Sequence, residues 1–245
     1  MLEAVIFDMD GVIVDSHPAH REAWRLFLRS LGRVVSEPEL DFVLDGRKRE
    51  EILRHFLGTL SEDKVEEYGN RKDECFRKAA LQVKPVPGVL EFVSTLRNAG
   101  IATAVATSAS ESRTRHTLEH LRLLRKMRVI VTGDDVAFGK PDPSIYCLAC
   151  ERLNVTPERA LAVEDAVSGI QAARGAGLSC IGVASNQSSD KLKAAGAAYV
   201  VRNFLKVSLP RLERCLLSDK VGRSRRAPPA PLSRSLSTKP GTCSA

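Results

Sequence analysis

Six short runs rich in β-branched and small apolar residues, at 3–8, 101–107, 129–132, 160–164, 179–183 and 198–201, recur along the chain with helix-like amphipathic stretches between them. Strands separated in this way pair in parallel, and helical crossovers then cover both faces, so the alternation predicts an α/β fold built on a doubly wound parallel sheet. The rhythm breaks once. Residues 17–82 carry helical patterns and no convincing strand, which predicts a helical insertion after the first strand. Lys84-Pro85-Val86-Pro87-Gly88 is a stiff turn that restarts the alternation with a helix expected near 89–98 and a hinge at 85–88. The expected division is a core formed by 1–14 and 86–218, with a helical cap at 15–85.

Charge and length narrow the function classes. Lys and Arg outnumber Asp and Glu by 37 to 30, but Lys220, Arg223, Arg225, Arg226, Arg234 and Lys239 lie in the last 26 residues, where no acid occurs. That leaves 31 against 30 in the first 219, so no specific nucleic-acid partner is expected. From 219 to 245 the composition turns to Arg, Ser and Pro with hardly any large apolar residue, and a disordered basic tail is expected there. No run of about 18 apolar residues occurs, so no membrane span is expected, and the opening Leu2–Phe7 segment has no export pattern. The six cysteines are widely scattered and are expected as free thiols in a reducing cytoplasm; Cys147 and Cys150 sit on a helical pattern with no second ligand pair, which favours packing over metal or redox work. Oligomeric state is not legible.

Ligands of doubly wound sheets bind at the carboxyl ends of the strands. Here three of those ends carry chemistry: Asp8-Met9-Asp10-Gly11 after the first, Thr107-Ser108 after the second, and Glu164-Asp165 at the fourth. A single acidic strand end reads most simply as a helix cap. Asp8, Asp10, Glu164 and Asp165 crowded together would repel one another unless a cation intervened, and oxygen ligands without His or Cys suit Mg²⁺. A dication in turn suits a phosphorylated substrate. Gly139-Lys140-Pro141 falls in the loop after the third strand, from which Lys140 can reach the same crevice, while Thr107 offers a hydroxyl and Ser108 an amide to phosphoryl oxygens.

The four segments FDMDGVIVDS, AVATS, FGKPDP and LAVEDAVSGIQAARGAG, in this order, closely resemble the haloacid dehalogenase superfamily, and the resemblance spans essentially all of residues 1–218. More narrowly, the chain is similar to the Rossmann-like branch with a helical cap, which includes β-phosphoglucomutase and many sugar-phosphate phosphatases. The resemblance implies that Asp8 attacks phosphorus and becomes an aspartyl-phosphate, and that Asp10 is the general acid and base, a task that calls for a carboxyl less acidic than its ionised neighbours. It implies Mg²⁺ on Asp8, Asp165, the backbone carbonyl of Asp10 and Glu164, with Thr107, Ser108 and Lys140 holding the phosphoryl group. Dehalogenases of the superfamily lack the second Asp, so Asp10 with the Glu164-Asp165 pair favours phosphoryl transfer.

Within the cap, His20, Arg49 and Lys72 match positions that couple closure to catalysis or bind a distant phosphate in the mutase. Surface cations and a turn-capping histidine are the ordinary alternative. Mutases carry Lys-Asn after the second motif where this chain has Ala109-Ser110-Glu111-Ser112, and a Lys where it has Asp45. The expectation is therefore hydrolysis of a small phosphorylated metabolite, with the mutase and an inactive binding protein as the other readings.

Overall fold

The computed structural model describes residues 1–80 and 83–224, of which 218–224 are described as backbone only. Six parallel strands form one sheet: β1 (Ala4–Phe7), β2 (Ala102–Ala106), β3 (Val129–Val131), β4 (Ala160–Glu164), β5 (Ser179–Val183) and β6 (Tyr199–Val201). Their order is β3-β2-β1-β4-β5-β6. The chain therefore runs outward from β1 through β2 to β3, then returns to start the other wing at β4. That reversal opens a crevice beyond the carboxyl ends of β1, β2 and β4.

Alternate residues of each strand feed two separate cores, as the two-residue period of a strand requires. Val5, Phe7, Val105, Leu161 and Val163 face one way, beneath α4 (Val89–Asn98), α5 (Glu111–His120) and α9 (Leu209–Ser224), which contribute Phe92, Leu96, Leu118, Leu212 and Leu216. Ala4, Ile6, Ala104 and Ala162 face the other way, against Tyr146, Ala149, Ile170, Ala173 and Leu192 of α6 (Ser144–Leu153), α7 (Val167–Gly175) and α8 (Ser189–Ala194). The small residues on this second face let the helices approach closely. Cys150 is buried in that layer while Cys147 on the same helix is exposed, and both are free thiols.

Between β1 and α4 lie α1 (His17–Ser30), a 3-10 turn at Glu39–Leu44, α2 (Arg49–Leu57) and α3 (Glu62–Ala79). Pro18 sits in the first turn of α1, where its missing N–H costs nothing. Trp24, Phe27, Leu28, Leu40, Leu53 and Phe56 give the insertion its own apolar core, so it packs as a unit. The two connecting segments are bonded to each other: Asp15 N donates to Lys84 O at 2.9 Å and Val86 N to Ile13 O at 3.0 Å. Helix α9 continues to Ser224, beyond the boundary expected near 219, and the rest of the expected tail, 225–245, lies outside the described residues. No helix among the described residues is long and apolar enough to cross a membrane.

Candidate active site

Asp8 leaves β1 at the centre of the sheet, its amide donating to Val163 O at 2.9 Å, which fixes it beside the end of β4. Its Oδ1 accepts from Lys140 Nζ at 2.6 Å, and the same ammonium donates to Glu164 Oε1 at 2.6 Å and to Ala106 O at 3.1 Å. Lys140 is fully buried, and its three donors are spent on three strand ends. Tyr146 OH adds a bond to Glu164 Oε1 at 2.7 Å. Asp8, Glu164 and Asp165 are all buried, and each offers an oxygen within 4.8 Å of the others. Three hard oxygens so close fit a small dication, with Lys140 and His17 already offsetting part of the charge.

The glycines of the motifs make this crowding possible. Gly11 has φ +76°, and a Cβ there would lie 2.1 Å from Asp165 Oδ2; a Cβ at Gly169 would lie 2.1 Å from the Glu164 carboxylate. Both positions exclude any side chain. Asp165 Oδ2 accepts from His17 Nε2 at 2.9 Å and Ser185 Oγ at 3.0 Å, so its other oxygen is the one left toward Asp8. Burial opposes protonation of His17, but the bond and charge of Asp165 lift it above its ordinary value. Burial, with Glu164, Asp165 and Asp10 nearby, holds Asp8 well above the usual carboxylate range despite Lys140.

Asp10 stands in the opposite environment. Arg113 Nη1 and Nη2 donate to its two oxygens at 2.9 and 2.6 Å, Ser16 Oγ donates to Oδ1 at 2.6 Å, and His20 Nε2 lies 3.2 Å from the same oxygen. Burial alone would raise this carboxyl, but the Arg113 guanidinium, helped by His20, holds it well below the usual range. The expectation of an Asp10 less acidic than its neighbours is thus reversed in this arrangement: Asp8 is the weakened acid and Asp10 the strong one. Burial pushes His20 down to about 4, with Lys72 and Arg113 adding to that effect.

Cap and core meet over this crevice. Ser108 Oγ donates to Gly46 O at 2.6 Å, Lys48 Nζ to Val136 O at 2.9 Å, and Ser168 Oγ to Asp45 O. The Ser108 hydroxyl is therefore occupied by the cap, and Thr107 Oγ1 accepts from the Ala109 amide at 3.2 Å. One cavity is lined by Asp8, Asp10, Thr107, Ser108 and Asp165 from the core and by His20, Arg49 and Lys72 from the cap. Lys140 and Glu164 stand just behind it. Arg49 is paired with Asp73 at 2.6 Å, while buried Lys72 has only His20 Nδ1 at 3.4 Å and Asp73 Oδ1 at 3.5 Å. Trp24 lines the same cavity from within the cap core. Sequence reasoning assigned no role to Arg113, Ser16, His17, Tyr146 or Ser185; Ser16 closes the first quoted motif and His17 follows it, while the other three lie outside the motifs.

Comparison with known proteins gives the family. A family model described as haloacid dehalogenase-like hydrolase matches residues 2–177. Phosphorylated carbohydrates phosphatase of Thermotoga maritima is 38% identical over 205 residues, covering 82% of this chain and 94% of that protein. Beta-phosphoglucomutase of Bacillus subtilis is 30% identical over 217 residues, covering 85% and 92%. The crystal structure of CbbY from Rhodobacter sphaeroides in complex with phosphate superposes with a TM-score of 0.76 at 30% identity, covering 87% of this chain and all of that one. The chain is an enzyme of the haloacid dehalogenase-like hydrolase family.

Proposed function

We propose that this enzyme hydrolyses the phosphate ester of a small sugar or related metabolite through an aspartyl-phosphate on Asp8. The observation that carries the reading is the meeting of Asp8, Glu164 and Asp165 around Lys140 at the floor of a cavity that the cap closes. A related Thermotoga protein is named for phosphorylated carbohydrates, which supports the substrate class. Asp8, Asp165, Glu164 and the Asp10 carbonyl would hold Mg²⁺. When bound, the ion neutralises charge on Asp8 and on the transferring phosphoryl group.

The remaining steps belong to the chain's own groups. A carboxylate oxygen of Asp8 attacks phosphorus as the ester P–O bond breaks, with the positive charge of Lys140 behind Asp8 and the donors of the Thr107-Ser108 turn stabilising the phosphoryl oxygens. Asp10 gives its proton to the departing alcohol oxygen. It then takes a proton from the water that attacks the aspartyl-phosphate, which releases inorganic phosphate and restores Asp8. Since Asp10 is ionised beside Arg113 in this arrangement, it must leave that pair and take up a proton from solvent before the first ester is cleaved; the proton it later takes from the attacking water recharges it for the next turnover.

Asp8→Asn keeps the shape and removes the attacking charge, so turnover should fall ~10³-fold or more with the fold intact. Fluoroberyllate, which mimics a phosphoryl group on a carboxylate, should bind the parent only with Mg²⁺. A verified Asp8→Asn variant working near the parent rate would sink the mechanism, and fluoroberyllate binding without metal would count against the assigned site.

A further inference from the structure

Arg113 lies on α5 in a stretch, Ser112-Arg113-Thr114-Arg115-His116, that reads as a solvated helix face. Its side chain is instead only 15% exposed and forms both arms of a pair with Asp10. A carboxylate has about four lone-pair directions. Oδ1 is crowded by Arg113 Nη1, the Ser16 hydroxyl and the His20 ring, and Oδ2 is held by Arg113 Nη2 alone, so the guanidinium is the one group that grips both oxygens and turns the carboxylate away from proton transfer. The pair is a resting arrangement that catalysis has to break.

What could break it is visible in the same cavity. Freeing Asp10 without a substitute would strand a buried guanidinium, which is strongly unfavourable, whereas exchanging one anion for another keeps the guanidinium paired. Arg113 lies 5.1 Å from the centre of the Phe76 ring, and Lys72 lies 5.0 Å from the same ring with no polar partner closer than 3.4 Å. Arg49, paired with Asp73, completes a cluster of three cations, Arg49, Lys72 and Arg113, whose carboxylate partners are Asp10 and Asp73; Arg47, Lys48, Glu50 and Asp134 also line the cavity. That cluster has room in its charge balance for an anionic group carried in by the substrate.

We propose that Arg113 is a substrate-operated latch: it grips Asp10 in the resting enzyme, and a second anionic group on the substrate, apart from the reacting phosphate, takes over the guanidinium and releases Asp10 for proton transfer. Arg113 is thereby a positioning residue, and it selects phosphate esters that also carry a carboxylate or another phosphate. Substrates with one phosphate and no other anion leave Asp10 gripped and react slowly.

This rests on the reading of Asp10 as acid and base, and the test separates the two. The parent, Arg113→Gln, Arg113→Lys and Asp10→Asn would be assayed with glycerol 3-phosphate, 3-phosphoglycerate and fructose 1,6-bisphosphate. The parent should favour the two substrates with an extra anion by at least ~10-fold in kcat/KM, or about 1.4 kcal/mol. Arg113→Gln should raise kcat for glycerol 3-phosphate several-fold and raise KM for the others, which brings the ratio near one, and Arg113→Lys should restore part of it. A parent without preference overturns the latch, as does an Arg113→Gln variant that loses the same factor on all three substrates. Asp10→Asn should be almost inactive on all three. If it is not, the acid-base reading fails and the latch with it; if it is, and Arg113→Gln merely slows every substrate alike, only the latch fails.

Discussion

The two carboxylates that bracket Met9 are two residues apart and live in opposite surroundings. Asp8 sits among core groups, where acids outnumber bases: Asp8, Glu164 and Asp165 against Lys140 and His17. Asp10 sits where core and cap meet, and there bases outnumber acids: Arg113, Lys72 and Arg49 against Asp10 and Asp73. The cluster around Asp8 is short of a cation and the cluster around Asp10 short of an anion. A metal ion on one side and a phosphorylated metabolite on the other would balance both, and neither half balances itself.

The sharpest way to break this comparison is to remove the base on which the Asp8 half depends. Lys140→Met would leave Asp8 and Glu164 facing each other in a buried site without their shared cation, so Asp8 would stay protonated more readily and the phosphoryl group would lose a nearby positive charge. Turnover of a generic aryl phosphate should drop ~10³-fold. A loss under tenfold would mean that the two halves do not divide the charge as described.

The Asp8 half was legible before the fold was known because strands place residues with a two-residue period, and a strand's last residue has only one crevice to enter. Asp8, Thr107, Glu164 and Asp165 are all such ends. Lys140 follows a strand by nine residues, and only the motif around it marked it. The Asp10 half was hardly legible. Arg113, Arg115 and His116 form one basic run on α5, and the one that turns inward does so to meet Asp10 and the Phe76 ring, partners distant from it in sequence. Its consequence was hidden too, since the strong acidity of Asp10 follows from Arg113 and not from its own motif. The six strands and the helix over Val89–Asn98 were read within a residue or two, because their patterns are local.

A smaller effect tests the cap side. Arg49 reaches the cavity but is held by Asp73 at 2.6 Å, so a ligand can recruit it only by displacing that partner. For a hydrolase, Arg49→Ala should raise KM about tenfold for substrates that reach the cap, equivalent to ~1.4 kcal/mol of uniform binding, and leave kcat near the parent value. For a mutase, which must grip the non-reacting phosphate of a bisphosphorylated intermediate, the same change should abolish conversion of β-glucose 1-phosphate to glucose 6-phosphate. Isomerisation by the parent outrunning its release of phosphate would replace hydrolysis as the assigned reaction and leave the Asp8 chemistry intact.

The smallest effect is on stability, and it asks whether the cation excess around Asp10 is held at a cost. Burial lowers Lys72 from its ordinary 10.5 to about 8, with Arg113 adding to the shift and Asp73 and Asp10 opposing it. Below pH 8 the lysine is charged both folded and unfolded, so the fold bears the full cost of burying the charge, roughly 3 kcal/mol at most from the gap between those two values. Between pH 8 and 10.5 the folded protein sheds this proton while the unfolded chain keeps it, and the cost is relieved as pH rises. Lys72→Met keeps a flexible apolar chain of similar length in the same place and removes the ammonium that now lies 5.5 Å from the Trp24 ring centre and 5.0 Å from that of Phe76. The variant should therefore melt higher than the parent at pH 7, by about 2–4 °C for each kcal/mol recovered. Its advantage should shrink as melting curves are recorded toward pH 10. A variant that melts lower at pH 7 would show that His20 and Asp73 already satisfy Lys72, and that the Asp10 half keeps no cation in reserve for a ligand.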